Sequence, residues 1–258
     1  MDSLSTILKR VQANVELNFT TQQDFEVKYR QVLGKAYCHT CEGTERVSTP
    51  WSRGAASASW PCPDCLVADD PAKYERKLRT SGLSLEWSNQ YVFDKWNPNK
   101  NPQLMDQFRV VRSWAQNPEG LLLLAGGVGV GKTHLAIATA INVIQMGWHV
   151  RYIEVQGLIK RMQGAMDQAD TSAEAVYQAW GIAPDLVVLD DLGFEQHTEY
   201  SLGVVENLLS WRLLRNKPTV VTTNTGLEPY SDRLQSRLHE KGKVTLIKLD
   251  GKDIRVTG

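Results

Sequence analysis

An α/β fold, a parallel sheet held between helices, is what this 258-residue sequence predicts, with a small cysteine-bearing unit ahead of it. Three observations carry that expectation. Short apolar runs alternate with helix-like stretches from about residue 81 onward, the pattern of strands covered on both faces. One of those runs feeds directly into Gly126-Gly-Val-Gly-Val-Gly-Lys-Thr133, an uninterrupted G-x-x-x-x-G-K-[ST]. All four cysteines fall within the first 65 residues, as Cys38-x-x-Cys41 and Cys62-x-x-Cys65.

Composition sets the outer bounds. With 42% apolar residues the chain can bury one ordinary α/β core and still form a small second unit, so residues 1–80 and 81–258 are expected as separate domains. Lys plus Arg equals Asp plus Glu at 29 each. No net positive field announces a nucleic-acid partner, and any such contact must come from a local patch. No apolar stretch reaches the ~20 residues that span a bilayer. The opening Met1-Asp-Ser-Leu-Ser5 lacks the basic-then-apolar layout of a signal peptide, so a cytoplasmic location without membrane contact is expected.

The first elements are helical. Leu4, Ile7, Leu8, Val11, Val15 and Leu17, then Phe25, Tyr29, Val32 and Leu33, follow a loose helical period broken near residues 18–21, which predicts two helices. Next come the cysteine pairs, separated by 20 residues. Two C-x₂-C knuckles at this spacing fit a zinc ribbon, whose four thiolates complete a closed tetrahedral site. The Ser-, Gly-, Ala- and Pro-rich segment between them has little to pack with, so the ion itself would supply the stability. Disulfides, a thioredoxin-like redox pair, and His39 in place of one cysteine are the competing readings; a reducing compartment and the lack of a βαβ setting weigh against the first two. Asp69-Asp70-Pro71 then predicts a helix start, with a short basic helix over 72–78 stopping near Gly82.

Five strands are predicted beyond that point, at 121–125, 150–155, 186–190, 219–223 and 244–249. The first leads into the glycine loop, and the helix-like His134-Leu-Ala-Ile-Ala-Thr-Ala-Ile141 follows it. That order is the context in which the motif binds the phosphates of a nucleotide. Gly126, Gly127, Gly129 and Gly131 free the backbone so that N–H groups, including those of Val128 and Val130, converge on phosphate, and the helix adds its positive end through Thr133 and His134. Lys132 supplies an ammonium to the β and γ phosphates, and Thr133 a hydroxyl to Mg²⁺.

Leu186-Val-Val-Leu-Asp-Asp191, about 55 residues on, is an apolar strand ending in two acids. Asp190 is the expected partner of Mg²⁺, through water, and Asp191 the group that polarises the attacking water. Asp191 is one methylene shorter than glutamate, which leaves its reach open. The strand at 219–223 ends in Asn224, either a water-orienting amide or a plain turn residue.

Gly131-Lys-Thr-His-Leu-Ala136, Leu189-Asp-Asp-Leu-Gly193, Lys217-Pro-Thr-Val-Val-Thr-Thr-Asn224 and Asp232-Arg-Leu-Gln-Ser-Arg-Leu238 together resemble the DnaC/DnaI-type replicative helicase loaders and the related IstB transposition ATPases, both AAA+ proteins. The resemblance covers residues 83–258. It implies an AAA+ P-loop ATPase domain without a C-terminal helical lid, with ATP and Mg²⁺ as ligands and Asn224 as a sensor of the γ-phosphate. It also implies that Arg237 is an arginine finger entering the neighbouring subunit and that Arg255 is a sensor-2 arginine within its own; a surface salt bridge is the other use of either. Partners implied are a DnaB-type replicative helicase, single-stranded DNA and further copies of the chain, with Lys160-Arg161 as a place for DNA phosphate contacts. The zinc unit resembles the metal-binding N-terminal domains of DnaI-like loaders. An IstB-like helper of transposition, and a nucleotide-switched adaptor with little hydrolysis, are the alternative functions.

Overall fold

The structure, a computed structural model, describes residues 71–97, 99–166, 172–195, 197–224 and 227–253, together with the backbone of 46–48 and 59–61. The helices expected within residues 4–33, the metal-ligand candidates Cys38, Cys41, Cys62 and Cys65, His39 and the sensor candidate Arg255 lie outside the described residues. Two compact units divide the chain, one of residues 1–71 with 145–148 and one of residues 72–144 with 149–258. In the first, β1 (Arg46–Ser48) pairs antiparallel with β2 (Ser59–Pro61), Val47 standing opposite Trp60.

The larger unit opens with α1 (Pro71–Ser81) and α2 (Leu85–Gln90). Gly82 ends α1 at φ +89°, and a Cβ there would meet the Tyr152 carbonyl oxygen at 2.6 Å, so glycine is required where this turn lies on the sheet. The Ser84 hydroxyl then accepts from the Trp87 N–H and starts α2. Short 3₁₀ turns at Phe93–Lys95 and Pro102–Leu104 lead to α3 (Met105–Gln116).

A five-stranded sheet forms the centre: β3 (Leu121–Gly126), β4 (Val150–Glu154), β5 (Leu186–Leu192), β6 (Thr219–Thr223) and β7 (Val244–Leu249), in the spatial order β4-β5-β6-β3-β7. Every pairing is parallel. Leu121 to Leu124 are all buried, as a central strand covered on both faces requires. Between the strands run α4 (Lys132–Gln145), α5 (Val155–Met166), α6 (Ala173–Tyr177) with a following π-turn at Gln178–Ile182, and α7 (Glu199–Leu214); α8 (Asp232–Arg237) precedes β7. Helix α4 is apolar almost all round and runs from Lys132 to Gln145, beyond the 134–141 stretch, because Val143 and Ile144 are also buried. The order places β6 between the glycine-loop strand β3 and the acidic strand β5. At the carboxyl ends of three adjacent strands lie the phosphate loop, Asn224 and the two aspartates, the position where open α/β sheets bind ligands.

One charged residue belongs to the core. Arg212, on α7, is fully buried and donates from Nε to Thr219 Oγ1 at 2.8 Å, from Nη1 to the carbonyls of Gly181 and Pro184, and from Nη2 to those of Asp185 and Pro218. Burial draws this guanidinium down to about 9, with Asp185 opposing, so it stays cationic at neutral pH. It ties the starts of β5 and β6 to α7 at the end of the sheet opposite the phosphate loop.

Candidate functional site

The loop between β3 and α4 owes its path to glycine. Gly131 stands at φ +104°, and a Cβ there would lie 2.5 Å from the Trp96 ring; Gly129, at φ +71°, would place one 1.8 Å from an Asp253 carboxylate oxygen. Only glycine permits this turn with both neighbours in place. Val130 is buried at 1% exposure and offers the loop its backbone alone, whereas Val128 points outward at 58%. The Lys132 ammonium is buried and donates to the carbonyl oxygens of Gly126 at 2.9 Å and Gly127 at 2.5 Å, which compensate its desolvation and hold it at the loop's rim.

The two aspartates at the end of β5 are set by an irregularity of the strand. Leu189 pairs with Val221 and Leu192 with Thr223, so β5 carries one residue more than β6 over this stretch, a β-bulge. A regular strand would send neighbouring side chains to opposite faces. Here Asp191 adopts φ +56° and turns its N–H onto Thr222 Oγ1, 2.9 Å away. Asp190 is buried. Its Oδ1 accepts from Thr222 at 2.5 Å and from Thr133 at 3.3 Å, and its Oδ2 accepts from the Tyr152 hydroxyl at 2.5 Å. Asn224 Nδ2 donates to Asp191 Oδ1 at 3.3 Å.

These groups fit Mg²⁺. Thr133 and Asp190 present adjacent oxygens, the hard donors that ion takes, and their number suits an ion that keeps most of its waters and binds triphosphate oxygens besides. With three hydroxyls already on its buried carboxylate, Asp190 suits the holding of a metal-bound water rather than of the ion itself.

A cleft of about 380 Å³ opens above the loop, lined by Tyr91, Val128, Gly129, Gly131, Lys132, Thr133, His134, Asp191, Phe194 and Asn224. Of the residues expected from sequence, Gly126, Gly127, Val130 and Asp190 stand behind this lining rather than in it. Tyr91 and Phe194 carry no sequence signal and come from segments outside every motif. His134 Nε2 lies 3.0 Å from the Val92 carbonyl, which can only accept, so the proton is on Nε2. Burial lowers the pKa of this imidazole, the bond to Val92 opposing, and Tyr91 and Trp96 pack edge-on against the ring.

Arg237 closes α8, is half-buried, and is not among the residues lining this chain's own cleft. The pair Lys160-Arg161 separates. The Arg161 guanidinium lies over the Trp180 ring at 4.6 Å, while exposed Lys160 borders a second cleft of about 160 Å³ with Gln156, Gln163, Glu195, Thr198 and Ser201. Glu195 is itself buried, accepting from the Tyr230 hydroxyl and from the Gly193 N–H.

The sequence profile of the IstB-like ATP binding proteins matches residues 66–239. An ATP-binding protein from an insertion sequence of Mycobacterium tuberculosis is 28% identical over 170 residues, 62% of this chain and 62% of that protein, so the chain spans under two thirds of that relative. The replicative helicase loader DnaC of Escherichia coli is 25% identical over 194 residues, 72% of this chain and 78% of DnaC. A crystal structure of the DnaC helicase loader matches with a TM-score of 0.51 at 27% identity, covering 66% of this chain and 100% of that one. The larger unit has the AAA+ P-loop fold. Among the described residues no helix is long and apolar enough to cross a membrane.

Proposed function

Since this chain belongs to the family of IstB-like ATP binding proteins, we propose that it is an ATPase that loads a DnaB-type replicative helicase onto single-stranded DNA. The observation that carries the proposal is the convergence of Lys132, Thr133, Asp191 and Asn224 on one cleft at the carboxyl ends of the sheet. Coverage of the whole solved DnaC chain supports the loader branch.

On this reading Lys132 leaves the loop carbonyls for the β and γ phosphates, and the loop N–H groups at the head of α4 hold the phosphate oxygens. Thr133 directly, and Asp190 through a water, would hold Mg²⁺, which when bound would supply positive charge to the triphosphate. Asp191, with Asn224 on its carboxylate, orients the attacking water and takes up its proton. Arg237 enters the cleft of a neighbouring protomer and stabilises charge on the transferred phosphoryl group, and Arg255 does so within its own. Val128 and Phe194, apolar and more than half exposed at the rim, give that neighbour a surface to cover. Residues 1–80, with Cys38, Cys41, Cys62 and Cys65 as zinc ligands, grip the helicase; a pair of C-x₂-C knuckles has the donor chemistry of a closed Zn²⁺ site.

The test is to mix the full chain with the cognate replicative helicase, with and without ATP, and measure complex mass by light scattering. An ATP-dependent complex is expected, and its absence rejects the loader. The insertion-sequence relative favours a second reading, a transposition helper that coats duplex DNA. Filaments on duplex in the absence of any helicase, seen by electron microscopy, would assign that role instead. Phosphate release at background with DNA and helicase both present would assign a nucleotide-switched adaptor.

A further inference from the structure

We infer that Tyr152 is a positioning residue for the metal-nucleotide site: its hydroxyl fixes the Asp190 carboxylate in the orientation that meets Thr133, and so governs how far Mg²⁺ tightens the hold on ATP. The inference rests on the ATP-binding reading above.

Tyr152 sits on β4 opposite Val188 of β5, two positions short of the Glu154–Asp190 pair. Its phenol leans along the strand and donates to Asp190 Oδ2 at 2.5 Å. The side chain has no freedom to leave. It is 6% exposed, Trp87 packs edge-on against its ring with centroids 5.8 Å apart, and the α1–α2 turn lies on its backbone at Gly82. Burial, and after it the charge of Asp190, raises the pKa of this phenol, which therefore remains a donor throughout the range in which the protein works.

The three hydroxyl contacts to Asp190 are unequal. Tyr152 on Oδ2 and Thr222 on Oδ1 are both at 2.5 Å, while Thr133 stands at 3.3 Å. The two short bonds lock the carboxylate plane. The long one is the contact most readily exchanged for a water when Thr133 turns to a metal. Take away the phenol hydroxyl and a buried carboxylate oxygen loses its donor, so the group rotates to recover one and no longer presents Oδ1 to Thr133. Partners of metal-holding groups typically change metal affinity or activity by about 10–100-fold when removed.

The experiment uses the full chain carrying Tyr152→Phe, with ATP affinity measured by calorimetry in EDTA and across a MgCl₂ series. Affinity in EDTA should stay within about twofold of the unmodified chain, while the factor by which Mg²⁺ tightens binding should fall roughly tenfold. Tyr152→Leu, which likewise removes the phenol donor, should shift the same factor in the same direction, and it decides the matter if Tyr152→Phe does not fold. A Tyr152→Phe chain that melts earlier yet keeps the full Mg²⁺ effect overturns the inference and leaves a packing residue. If the unmodified chain binds no ATP in either condition, the nucleotide reading fails and this inference fails with it; Mg²⁺-dependent binding in the unmodified chain that neither substitution alters overturns this inference alone.

Discussion

The backbone N–H of Asp191 donates to the Thr222 hydroxyl at 2.9 Å, with Asp191 held at φ +56°. That bond lies within the bulge of β5, beyond which Asp191 lines the cleft while Asp190 stands buried behind it.

The left-handed backbone at Asp191 costs an L-residue roughly 1–2 kcal/mol relative to glycine. Asp191→Gly should therefore raise stability by roughly 0.5–1 kcal/mol while removing the group assigned to the attacking water. Urea midpoints and phosphate release check both halves. A lower midpoint would mean that the backbone there is not strained.

Arg237→Ala should bind ATP within about twofold of the unmodified chain but turn over about 10³-fold more slowly. On the proposed reading, in which Arg237 acts on a neighbour, mixing Arg237→Ala with Lys132→Ala should restore part of the activity: the Lys132→Ala protomers supply the arginine and the Arg237→Ala protomers the intact site. Phosphate release in a titration of one variant into the other reads this. No recovery at any ratio would contradict action between protomers.

At the opposite end of the sheet, Arg212 holds four carbonyls and the Thr219 hydroxyl. Arg212→Met should lower stability by at least about 3 kcal/mol, because carbonyls buried without a donor lose far more than the apolar stem regains. Arg212→Lys should recover little, since a point charge cannot reach acceptors spread around a planar fork. Thermal unfolding of both variants checks this.

His134 ties stability to pH. Its pKa in the folded chain lies below the ordinary 6.5, so between that lowered value and 6.5 the unfolded chain binds more protons. Stability is then fully present above about pH 6.5 and declines as pH falls through the folded value. Urea midpoints from pH 7.5 down to 5 should show the loss, and His134→Asn should flatten it. An unchanged slope in that variant would assign the dependence to other groups.

How much of this was legible in the sequence follows from how local each feature is. Thr219–Thr223 and Val244–Leu249 were readable to the residue because both are short runs rich in β-branched and apolar residues, the composition that fits a pleated strand. The phosphate loop was readable because its glycines, Lys132 and Thr133 are contiguous in the chain. The end of β5 was not: at its bulge Asp191 bonds Thr222, far along the chain on a neighbouring strand, and the strand continues to Leu192 beyond the expected stop at Asp190. Tyr152, Tyr91 and Phe194 reach the site or its supports only through register and packing, and no motif contains them. Arg212 reads as an ordinary charge near a helix end, since its acceptors come from separate segments. Arg161 read as half of a basic pair, yet the indole of Trp180 engages its guanidinium.

The central claim is that the cleft above Lys132 clasps a nucleoside triphosphate. Titration of Mg·ATP into the full chain by calorimetry tests it most directly, with Lys132→Ala as the control. The account predicts saturable binding near one ATP per chain, weakened roughly 10–100-fold or more in the variant through loss of the charge-assisted contact. Heat absent from the unmodified chain, or equal binding by both, would contradict it.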